Sequence, residues 1–143
     1  MIASGFQDGE SAAASGGRHG NCGAGRKVLI VEDETLVARH LEAILQDLGF
    51  EVCEIMSTGK DAVIEAAAAT PDIIFMDVNL AGEIDGVEAA KQILEKSDVT
   101  IIFVTAYSDD APTVSRIRTA LGDKIVLGKP VTPAAIRTAM LRL

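Results

Sequence analysis

Aromatic side chains are nearly missing: the 143 residues include four Phe, one Tyr and no Trp. A core must therefore be built from Val, Ile, Leu and Ala, in a chain long enough for one domain of its own. Basic residues are also short, 13 against 21 acidic ones, for a net charge of −8. A surface that follows a phosphate backbone needs clustered Lys and Arg, so direct nucleic-acid binding is excluded. No apolar run approaches the roughly 20 residues of a membrane span, which excludes a membrane role for the chain. The opening residues lack a basic stretch followed by an apolar one, so they do not read as a signal peptide. Only two cysteines are present, Cys22 and Cys53. They read as unpaired, the first in a tail and the second as a small core residue, which points to a reducing cytoplasm.

What is there divides into two parts. Residues 1–25 are rich in Gly, Ala and Ser without apolar periodicity, and are expected to form a disordered tail. Over residues 26–143, short apolar runs alternate with helical patterns, as in a parallel α/β sheet built from repeated βα units. Strands are predicted over 27–31, 52–56, 73–77, 100–105 and 125–127. The first helix carries Val37, Leu41, Ile44 and Leu48 on one stripe and is ended by Gly49. An Ala-rich second helix over about 60–69 stops at Thr70-Pro71. The third presents Val87, Ala90 and Leu94, and a weaker fourth presents Val114, Ile117 and Leu121. Pro133 opens a last helix with Ile136, Met140 and Leu143 on one side.

Four of the predicted strands end in chemistry. Glu32-Asp33 follows the first, Asp77 ends the third, Thr105 ends the fourth and Lys129-Pro130 follows the fifth. In a parallel sheet all four endings fall at one edge, where open α/β sheets place their sites. Glu32, Asp33 and Asp77 then bring three carboxylates within a few ångströms. At an effective dielectric near 20, each like-charge pair at about 4 Å costs roughly 4 kcal/mol. One lysine cannot balance three such charges, so the pocket either binds a divalent cation or keeps a carboxyl protonated. Oxygen ligands with room for water favour magnesium. A magnesium-bound phosphoryl group further needs a nucleophile, an opposing cation and a hydroxyl donor, which Asp77, Lys129 and Thr105 supply.

At these residues the chain resembles the receiver domain of two-component response regulators. The resemblance rests on Ile30-Val31-Glu32-Asp33-Glu34, Phe75-Met76-Asp77-Val78-Asn79-Leu80, Val104-Thr105-Ala106 and Gly128-Lys129-Pro130, and spans about 27 to 143. It implies a flavodoxin-like (βα)5 fold, doubly wound, with a five-stranded parallel sheet in the order 2-1-3-4-5. It also implies that a histidine kinase or histidine phosphotransfer protein phosphorylates Asp77. Mg2+ would be held by Glu32, Asp33, Asp77 and the backbone carbonyl of Asn79. Thr105 and Lys129 would take the phosphoryl oxygens, and the Lys129-Pro130 bond would be cis. The implied role is that of a phosphoacceptor that takes part in its own phosphorylation and dephosphorylation, not of an enzyme.

Other readings stand beside this one. Glu32-Asp33 alone would suit helix capping and dipole compensation. Asp77, Thr105 and Lys129 singly would suit a turn, a strand end and a solvated charge. His40 falls outside the first helix's apolar stripe and is read as solvated, and Gly82 and Gly86 as shaping a loop. Many receivers carry an aromatic residue three positions before the lysine, where this chain has Val126; its single tyrosine is Tyr107, in the loop after Thr105. Tyr107 either covers the core from that loop or takes part in signalling. The chain could act alone, as a switch or a phosphate sink, or be a module of a longer regulator or hybrid kinase. A haloacid-dehalogenase-like phosphatase is a remote alternative, since that family needs a second Asp where Asn79 stands and places its nucleophile on the first strand.

Overall fold

Strands that are apolar on both faces must be covered on both, and the computed structural model, which describes residues 22–143, shows how this is done. Five strands, β1 (Lys27–Val31), β2 (Glu51–Met56), β3 (Ile73–Asp77), β4 (Thr100–Thr105) and β5 (Ile125–Gly128), alternate with five helices. These are α1 (Thr35–Asp47), α2 (Gly59–Ala69), α3 (Gly86–Leu94), α4 (Ala111–Leu121) and α5 (Pro133–Met140). The strands pair in parallel in the order β2-β1-β3-β4-β5, as the resemblance implied. Alternate residues feed two cores. Val28, Ile30, Phe75, Ile102 and Val104 pack with Leu41 and Leu45 of α1, with Leu48 at its C-cap and with Ile136 of α5. Leu29, Val31, Ile74, Met76 and Phe103 pack with α2, α3 and Ile117 of α4. Where aromatics are scarce, Phe50 and Phe75 meet edge-on, with centroids 6.5 Å apart.

The helix ends follow local chemistry. Thr58, Asp85, Asp110 and Thr132 each accept a backbone N–H in the first turn of α2, α3, α4 and α5, contacts worth about 1 kcal/mol apiece. The chain leaves α1 through Gly49, whose φ of 95° suits glycine. At the sheet's β2 edge the register slips between Val28 and Leu29, leaving Cys53 as the extra residue, and its thiol donates to the Val28 carbonyl at 3.2 Å. Burial pushes the Cys53 thiol pKa up, and both cysteines are free.

Two details differ from expectation. Residues 1–21 of the expected tail lie outside the described residues, but 22–25 form a turn whose Gly23 and Gly25 N–H groups donate to Leu48 and Gly49 at 2.8 and 2.9 Å. The last helix ends at Met140, so Leu143 leaves the expected stripe and is exposed. No helix among the described residues is long and apolar enough to cross a membrane.

Candidate functional site

Parallel pairing fixes the site because it aligns every strand's C-terminal end. Asp77 closes β3 beside Val104, and Thr105 pairs with Gly128, one residue before Lys129. Glu32 continues β1, its N–H donating to the Met56 carbonyl at 2.9 Å. Glu32, Asp77 and Thr105 are the three buried polar side chains described, whereas Asp33 is exposed.

The carboxylates of Glu32, Asp33 and Asp77 each offer an oxygen, and these oxygens lie within 4.8 Å of one another. The Lys129 ammonium sits 2.7 Å from Glu32 Oε1 and 3.3 Å from Asp77 Oδ2. The lysine therefore engages two of the three acids and leans toward Glu32, a preference that spacing along the chain could not show. Burial, then the nearby Glu32 charge, raises the Asp77 carboxyl pKa to about 6, against the lowering effect of Lys129. Burial opposes the Lys129 charge, but its hydrogen bond to Glu32 and the charge of Asp77 prevail and raise its pKa.

The pocket's other contacts are directional. Glu32 Oε2 accepts the Glu34 N–H at 3.1 Å, Asp77 Oδ1 accepts the Asn79 N–H at 3.1 Å, and Asp33 Oδ2 accepts the Ala81 N–H at 3.3 Å. The residue at the N-cap of α1 is Glu34, without a side-chain cap, so capping does not account for the acidic pair. Thr105 Oγ1 accepts the Tyr107 N–H at 3.1 Å, which leaves the hydroxyl's proton for an incoming oxygen. Lys129-Pro130 is cis.

The sequence singled out Glu32, Asp33, Asp77, Thr105 and Lys129, and the fold brings them to one edge. It missed several supports. Gly86, expected in a loop, is the buried first residue of α3 and lies so close to the Asp77 carbonyl that any side chain would collide with it, which gives it a positioning role. A Cβ on Gly128 would lie 2.6 Å from Ser108 Oγ, so the β4–α4 loop rests on the residue preceding Lys129. Asp85 pairs with Arg116 across two helices. Tyr107 is 58% exposed, which rules out a cover over the core. His40 is exposed, as expected.

Comparison with known proteins agrees with this geometry. The family described as response regulator receiver domain matches residues 28–141. The phyllosphere-induced regulator PhyR of Methylorubrum extorquens is 34% identical over 111 residues, 77% of this chain and 40% of its own length. The chemotaxis protein CheY of Thermotoga maritima is 31% identical over 117 residues, 81% of this chain and 95% of its own. The chain thus spans well under half of the first relative and nearly all of the second. A solved signal receiver domain of a modulated diguanylate cyclase from Desulfovibrio desulfuricans superposes with a TM-score of 0.74 at 34% identity, covering 82% of this chain and 92% of that one. With Asp77 on the third strand and Asn79 two residues on, the dehalogenase-like alternative loses its basis. The chain belongs to the response regulator receiver domain family.

Proposed function

We propose that Asp77 accepts a phosphoryl group from a phosphohistidine of a histidine kinase or histidine phosphotransfer protein. Glu32, Asp33, Asp77 and the Asn79 carbonyl would hold Mg2+ beside it. The observation that carries this reading is the convergence of three carboxylates on one lysine at the end of the central strand. The donor set fits the ion: all its groups are hard oxygens, and one ammonium leaves the acids uncompensated. When bound, magnesium supplies charge neutralisation at the phosphoryl oxygens.

The chain's own residues do the rest. The Asp77 carboxylate, mostly ionised at neutral pH, bonds to phosphorus as the donor's P–N bond breaks. Lys129 gives charge-assisted hydrogen bonds to the phosphoryl oxygens, and the Thr105 hydroxyl donates another. Because Thr105 Oγ1 also holds the Tyr107 N–H, its movement pulls the loop leading to α4. That route stands in for an aromatic rotation on β5, where Val126 is found. An apolar groove along α1 and the β5–α5 turn, lined by Leu36, Val37, Leu41, Pro130 and Val131, opens beside Lys129 and offers the donor protein a seat. The exchange belongs in a reducing cytoplasm, and the output is a contact with another protein.

Incubation with Mg2+ and a small phosphodonor tests this directly. One acid-labile phosphoryl group should map to Asp77, and Asp77→Asn, still folded, should take none. Label persisting on that variant would place the acceptor elsewhere.

A further inference from the structure

The loop that leaves Asp77 is held from three sides. Near its middle the Ala81 N–H donates to Asp33 Oδ2 at 3.3 Å. Next, Ile84 lies against Gly59 at the start of α2, where an added Cβ would come within 2.9 Å of Ile84 Cγ1 and 3.0 Å of its carbonyl oxygen. At its end Asp85 divides its carboxylate: Oδ1 accepts the Glu88 N–H of α3 at 3.0 Å, and Oδ2 pairs with Arg116 Nη2 of α4 at 2.6 Å.

This last contact matters because α4 meets the core through few side chains, and one of them, Leu121, is only partly buried. Ile117 is its single buried side chain. Its other polar side-chain contacts among the described residues, Thr113 with Asp110 and Arg118 with Asp123, stay within the helix and its own flanks. Among the described residues, the Asp85–Arg116 pair is therefore the ion pair that joins α4 to the N-cap of α3.

Asp33 is also one of the three acids whose oxygens converge in the pocket. Its hydrogen bond to Ala81 is long and its side chain exposed, so a divalent cation competes with that bond effectively. We infer that residues 79–85 form a strap through which cation binding alone, before any phosphoryl transfer, repositions α4. Asp33 turns from Ala81 to the cation, the strap shifts over its Ile84 pivot, and the Asp85–Arg116 pair loosens. This route starts from Asp33 after β1, on the other side of β3 from Thr105, and needs no movement of Tyr107. It rests on the cation-binding part of the function proposed above.

By linkage, a pair loosened by the cation opposes the cation to the same degree. The pair is half-exposed, with side-chain exposures of 51% and 31%, so the expected coupling is about two- to five-fold in magnesium affinity. The experiment is a magnesium titration without phosphodonor, followed by backbone amide NMR, on the full chain and on Arg116→Gln and Arg118→Gln. The second variant removes the same charge from the same helix but leaves the strap intact.

In the unaltered chain, signals of residues 32, 33, 77 and 79 should move together with those of 81–85 and 113–120. Arg116→Gln should keep the pocket response, lose most of the α4 response and bind magnesium two- to five-fold more tightly, with its metal-free α4 signals already displaced toward the bound positions. Arg118→Gln should behave as the unaltered chain. An α4 that stays silent while the pocket responds, or that responds fully in Arg116→Gln, overturns the strap alone. A pocket that ignores magnesium overturns the cation site and the strap with it.

Discussion

Helices α3 and α4 lie on the same face of the same sheet, yet they are held by different means. α3 buries Gly86, Val87, Ala89, Ala90 and Ile93, five of its nine residues. α4, two residues longer, buries Ile117 alone. Burying a large aliphatic side chain contributes roughly 1.5–3 kcal/mol, so α3 is anchored by area and α4 by one buried side chain, the partly buried Leu121, one cap and one ion pair. Both helices follow loops that leave the pocket, α3 after Asp77 and α4 after Thr105. On the function proposed above, a phosphoryl group in that pocket would meet one neighbour that resists movement and one that yields. Segments with few buried apolar contacts open at low free energy, so the proposed function puts the response in α4.

The largest expected effect is on stability. Ile93→Ala should cost about 2–5 kcal/mol of global stability, the range for large-to-small changes in a packed core. Ile117→Ala should instead act locally, with fast hydrogen exchange across 111–121 and a smaller fall in melting temperature. Equal global losses for the two variants would erase the contrast between the helices.

A second effect concerns the pocket between them. The Asp77 carboxyl is raised from 3.8 to about 6 in the folded, metal-free protein. The folded state thus holds a proton that the unfolded state has released, and stability falls as pH rises from about 4 through about 6. Above that window the loss is complete, on the order of 2–3 kcal/mol. Asp77→Asn should remove this component, so denaturation midpoints of the two proteins should diverge between pH 4 and 6 and run parallel above it. A constant difference across the window would show that Asp77 is not strained by its neighbours.

The smallest effect in energy separates signalling from stability. Tyr107 is largely exposed, so Tyr107→Ala should change stability by no more than about 0.5 kcal/mol. A beryllofluoride-type phosphoryl mimic should alter hydrogen exchange most between Thr105 and Gly122, and the substitution should weaken that response while leaving phosphorylation intact. An α4 silent to the mimic would make the chain a phosphate sink.

The periodicity of the sequence was enough to assign helices and strands, because each strand's apolar run and each helix's stripe is a local property of a few neighbouring residues. That the candidate site residues cluster was legible for a related reason: each lies at or within two residues of a strand end, and parallel pairing brings such ends together. Errors fell where local pattern and packing part company. Leu143 continues the stripe of α5, but the helix stops at Met140. Residues 22–25 have a tail's composition, yet Leu48 and Gly49 offer carbonyls that Gly23 and Gly25 fill.

What the sequence determined by itself is the alternation of elements, the two-sided core and the set of groups at one sheet edge. Only the tertiary structure decided how those groups share their bonds: that Lys129 sits nearer Glu32 than Asp77, that Asp33 reaches Ala81, and that Arg116 holds Asp85. The physical reason is distance along the chain. Apolar periodicity is written within a single element, whereas the choice of a charged partner depends on side chains from different strands and helices meeting at 3 Å, which no local pattern encodes.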